Sequence, residues 1–97
     1  MFGWFNSGEA KSFGLELAQF FIEKLPPTLQ LNESKLSSKT QYVLDKIGSR
    51  VKEFRQHHEL NTLRRAKLAN AFRWKLMDAG YDKAYVEMLV AWLVAKL

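Results

Sequence analysis

The last fourteen residues constrain the fold more than any other stretch. From Ala84 to Leu97 twelve side chains are apolar, and only Glu87 and Lys96 interrupt them. A helix that is apolar on nearly every side has to be enclosed by other elements or covered by another molecule. It is too short to cross a bilayer, which takes about 20 apolar residues. A chain of 97 residues holds one core, so the rest of the molecule is organised around this segment as a single helical domain spanning 1–97.

The residues just before it say how it is attached. Gly80 suits a left-handed residue that ends a helix, Tyr81 can fold back on Leu76 or Met77, and Asp82 can cap the next helix. The spacing therefore predicts helices over about 62–79 and 83–95, joined as an αα-hairpin around Gly80. The earlier of the two starts after Leu60-Asn61-Thr62, with Asn61 or Thr62 as cap. No Gly or Pro breaks the chain there, so one long bent helix over 39–79 stays open as the alternative. Two apolar faces are spelled out in 62–79. Leu68, Ala69, Phe72 and Leu76 form one, and Leu63, Ala66, Trp74 and Met77 form the other, the pattern of a helix sandwiched between neighbours.

Upstream, Phe13, Leu17, Phe20 and Phe21 recur at helical spacing and predict a helix over about 8–24. Ser7 is its expected cap and Pro26-Pro27 its stop. Glu9, Glu16 and Glu23, seven apart, make an acidic ridge opposite that apolar face. Residues 28–37 read as a polar connector, with Leu29, Leu31 and Leu36 as tethers. A helix over about 39–58 follows, with Leu44, Ile47, Val51 and Phe54 as a narrow apolar seam. The expected fold class is all-α, with about four helices.

Charge is unevenly spread. Residues 35–75 carry eleven basic side chains against Asp45, Glu53 and Glu59, while the whole chain is only +5, so the remainder is net acidic. Such a field selects anionic partners. Arg64, Arg65, Lys67, Arg73 and Lys75 are the residues that would contact nucleic-acid phosphates, and Trp74 offers a ring for stacking on an unpaired base. Against this stand the absence of a short glycine turn into a recognition helix, the scatter of the bases around their helices, and a Trp74 that shares a face with Leu63 and Met77.

The sequence points away from chemistry. His57 and His58 are adjacent and diverge by about 100° on a helix, so they do not grip one ion. Asp78 and Asp82 read as a surface residue and a cap. The five glycines are scattered, and no serine lies in a nucleophile-elbow pattern. Cysteine is absent, which removes disulfides and thiolate metal sites and is compatible with a cytoplasmic location. No catalytic residue, metal, cofactor or small-molecule substrate is expected. Phe2, Trp4 and Phe5 suit a membrane interface, yet the helix after them has an acidic polar face, so the expectation is that these rings close the core. The apolar excess fits best a protein-interaction or adaptor module that binds another protein or itself through Tyr85, Met88, Leu89 and Trp92. Nucleic-acid binding is the alternative, and peripheral membrane association a weaker one.

Overall fold

A computed structural model describes residues 7–28 and 33–97, with side chains from 8–28 and 38–97. The described residues form four helices: α1 (Ser7–Lys24), α2 (Glu33–His57), α3 (Thr62–Ala79) and α4 (Lys83–Lys96). All four expected helices are present, and the stretch 39–79 is two helices rather than one. Phe2, Trp4, Phe5, Leu29 and Leu31, and the side chain of Leu36, lie outside the described residues.

Local chemistry fixes the helix ends. The Asn61 side chain accepts a hydrogen bond from the Arg64 backbone N–H at 2.9 Å and so caps α3, a contribution of about 1 kcal/mol. Gly80 adopts φ 104°, and its N–H donates to Met77 O at 3.1 Å while the Tyr81 N–H donates to Leu76 O at 3.5 Å. That is the paired closure in which glycine avoids the Cβ clash of the left-handed region. The Asp82 carboxylate then accepts from the Ala84 and Tyr85 N–H groups and starts α4.

Two expectations are corrected. Helix α2 starts at Glu33, six residues before the expected Lys39, so the second half of the supposed connector, 33–37, is helical. Residues 33–38 have no apolar period to read. A long helix extends by one backbone bond per residue without needing an apolar period. Ser7 is likewise already helical rather than preceding α1.

Contacts at the helix ends set the directions. Glu9, near the start of α1, meets His58, just ahead of α3, while Leu25 at the other end of α1 meets Tyr81 after α3. These two helices are therefore parallel. Phe13 stacks on Phe54 and Arg50 sits over Phe20, so α2 runs antiparallel to α1. Thr40 bonds Tyr85 and Arg55 bonds Lys96 O, which makes α2 and α4 parallel. The order around the bundle is α1, α3, α4, α2, with α2 and α3 on a diagonal although they are consecutive in the chain.

The core is made of Leu17, Phe21, Ile47, Leu68, Phe72, Leu76, Val86 and Leu93, each fully buried. Along α1, Ala10, Gly14 and Ala18 lie four apart and are all buried. A Cβ built on Gly14 would fall 2.4 Å from the Leu68 carbonyl oxygen and 3.1 Å from the Ala71 Cβ. The backbones of α1 and α3 thus touch directly, and only a residue without a side chain fits at the crossing.

Candidate functional site

Helix α4 has no amphipathic pattern, so its neighbours alone decide which side is buried. Val86, Leu89, Val90 and Leu93 turn into the core. The four expected interaction residues are therefore divided. Leu89 is 2% exposed and part of the core, whereas Met88 is 60% exposed. Tyr85 and Trp92 are half-buried against the core, with the Lys96 ammonium 5.6 Å from the Trp92 ring centroid. Ala84, Ala91, Val94 and Ala95 complete the outward face. Its one carboxylate, Glu87, is drawn aside to Arg73, with Oε2 3.2 Å from Nε and Oε1 3.2 Å from Nη2.

Of the second apolar face of α3 only Met77 packs against the core, and the rest is not sandwiched, contrary to the sequence expectation. Leu63 and Trp74 are 61% and 62% exposed, and Ala66 is exposed beside them. The reason lies in the ring order: α1 and α4 flank α3, α2 lies across the diagonal, and nothing covers its outer side among the described residues. The sequence shows the stripe but not the absence of a neighbour.

The five basic residues expected to face phosphates are not equivalent. Arg65 and Lys67 are exposed. Arg64 donates to the Glu59 carbonyl at 2.8 Å, and Arg73 holds Asn70 at 2.9 Å as well as Glu87. Lys75 is half-buried. Of the acidic ridge of α1, Glu9 pairs with His58 at 3.3 Å, Glu16 lines a groove with Arg50, and Glu23 accepts from Gln19 at 2.9 Å.

Tyrosines tie the turn end together. Phe21, Tyr81 and Tyr85 form a ring cluster with centroids 5.7–6.3 Å apart. The Tyr81 hydroxyl donates to the Leu25 carbonyl, joining the α3–α4 turn to the end of α1. Burial, helped by the neighbouring Tyr85, pushes the Tyr81 phenol up to about 12. Burial also raises the Tyr85 phenol, opposed by its hydrogen bond with Thr40.

Two grooves border α2. Between α1 and α2, Phe13, Phe54 and His58 stack at 4.1 and 4.3 Å, with Glu9, Glu16 and Glu53 around them. Between α2 and α4, Leu44, Gly48, Val51 and Trp92 line a groove of about 610 Å³ edged by Lys52, Arg55 and Lys96. Sequence reasoning missed both, because a groove depends on how far apart two helices stand. The signal available was the mixture of bulky Phe13, Phe54 and Trp92 with small Gly48.

Asp78 is exposed while Asp82 is engaged as a cap, so the two do not act as a carboxylate pair. Among the described residues no group of three or more His, Cys, Asp or Glu is placed to hold a metal ion. No helix there is long and apolar enough to cross a membrane. No protein-family model, curated protein or solved structure matches this chain.

Proposed function

We propose that this chain is a cytoplasmic protein-interaction or adaptor module, without chemistry of its own, that docks and self-associates through the outward face of α4. The observation that supports this most is the open apolar stripe of Ala84, Met88, Ala91 and Ala95, spaced four, three and four, with Val94 beside it. That spacing is a coiled-coil seam. Its alanines would let another helix approach closely, as α3 approaches α1 at Gly14. Tyr85 and Trp92, seven apart, edge the stripe and supply the larger anchors, while Leu89 keeps the helix on its own core.

Sedimentation velocity across about a hundredfold range of concentration tests this reading. The expected result is a rise in mass that survives high salt, because apolar contact is not screened. Met88→Glu should return the protein to a monomer with its helical content intact. A wild-type protein that stays monomeric throughout would overturn self-association as the mode of docking.

One observation supports a second reading. Trp74 is open to solvent on α3 with Lys67 one heptad before it on the same face, the combination of ring and charge that holds an unpaired base. A mobility shift with single-stranded RNA checks it. Binding should fall steeply with salt and be lost in Trp74→Ala.

A further inference from the structure

We infer that the groove between α2 and α4 receives an acidic amphipathic helix of a partner protein. This rests on the reading of the chain as a binding module, and it uses the side of α4 next to the self-association stripe, with Trp92 on the border of the two.

Among the residues of α2 that line the groove are Gln41, Asp45, Gly48, Lys52 and Arg55. Their spacing of four, three, four and three lays one straight seam along the helix. From Gln41 to Arg55 the seam runs about 21 Å, the length of a helix of about fourteen residues. Leu44, Val51 and Trp92 give it an apolar floor. At Gly48 a Cβ would meet nothing within 4 Å, so a partner side chain can descend there to the backbone.

Charge then selects the occupant. Lys52 and Arg55 from α2 and Lys96 from α4 gather at one end, and all three are exposed. No carboxylate pairs with any of them among the described residues. Arg55 donates to Lys96 O at 3.3 Å, which fixes its guanidinium at the mouth of the groove. At the far end the one acid, Asp45, is held by Gln41 at 2.9 Å. A helix with apolar residues at three- and four-residue intervals and Asp or Glu at one end matches both features, and its orientation follows from the charge gradient. Nucleic acid fits less well. A duplex or strand follows a long track of cations, whereas here there are three, and the Trp92 ring is half-buried with the Lys96 ammonium near its face.

Fluorescence anisotropy with labelled peptides of about fourteen residues tests the assignment. One peptide carries leucines at helical spacing with glutamates in its first turn. A second has lysines in place of those glutamates, and a single-stranded RNA is the third probe. The acidic peptide should bind and the lysine peptide should not. Lys52→Glu and Gly48→Leu should each weaken the acidic peptide by about tenfold or more. Gly48→Leu points into open space, so its melting temperature should match or exceed that of wild type, which separates a filled groove from a damaged fold. Met88→Glu should leave peptide binding intact, which keeps this result independent of self-association. Absence of binding by the acidic peptide, or binding indifferent to both groove variants, would overturn the inference. So would RNA binding that Lys52→Glu abolishes, because the groove would then belong to nucleic acid.

Discussion

Helices α1 and α3 run parallel, and so do α2 and α4, but the two pairs are joined by opposite means. At α1–α3 the side chains are removed: Ala10, Gly14 and Ala18 let the backbones meet, with the Leu68 carbonyl directly over Gly14. At α2 the neighbours are held off by large groups, the Phe13–Phe54 stack on one side and Trp92 on the other, and grooves remain beside them. Close contact between small residues gives many weak attractions and no space. Spacing by aromatics buries area through a few large groups and leaves concave surface. The difference separates a close-packed half, α1–α3, from the open side of α2 and the outer face of α4, which the proposed function takes as the docking side.

The most severe way to break that contrast is at Gly14. Gly14→Ala places a Cβ 2.4 Å from a backbone oxygen, and the two helices have to move apart. Overpacking of this kind destabilises by about 1–3 kcal/mol, offset by about 1 kcal/mol of better helix propensity, and the rigid backbone neighbour places the net loss at the upper end. A urea titration reads it as a lowered midpoint at unchanged slope. An unchanged or raised midpoint would show that the seam is not tight.

A smaller effect is expected where the turn is tied to α1. Tyr81 donates to Leu25 and its phenol is pushed up to about 12, first by burial and then by Tyr85. In the unfolded chain the same group ionises near its ordinary value of 10.0. The folded state therefore favours the protonated phenol. Its contribution is fully present below pH 10 and is lost as pH rises from 10 toward about 12. Because the ring is only half-buried, solvent screening reduces the loss to about 1 kcal/mol. Tyr81→Phe removes the hydrogen bond, worth about 1 kcal/mol at neutral pH. It should also flatten the fall in stability above pH 10. Matching pH slopes in the two proteins would show that Tyr81 titrates alike in both states.

What the sequence reveals follows the same division. The Gly80–Tyr81–Asp82 turn and the Asn61 cap are readable because their chemistry is local, fixed by φ or by a side chain two or three residues away. The start of α2 is not, since its first six residues offer no apolar period. Met88 and Leu89 are both apolar neighbours on a helix with no polar side, and only the packing of α3 and α2 decides that Leu89 is buried and Met88 is open. Trp74 fails the same way, with a sequence stripe that looks like core facing a position where no helix stands. Gly14 was legible in principle, because Ala10-Gly14-Ala18 is a stripe of small residues at four-residue spacing. The phenylalanines that share the helix are simply the louder signal.

The smallest effect sharpens the comparison from its open side. Gly48 is the counterpart of Gly14, a glycine inside a helix, but a Cβ there meets nothing within 4 Å. Glycine in a helix interior is less stable than alanine by roughly 0.5–1 kcal/mol, through the freedom it has when unfolded. With no opposing contact, Gly48→Ala should raise stability by about that amount, seen as a higher midpoint in the same urea titration. The two substitutions are chemically identical and both lie in helices, so propensity cancels between them, and the difference in sign reports packing alone. A loss at Gly48 would mean that α4 stands closer to α2 than the groove allows, and this side of the molecule would be as closed as the α1–α3 seam.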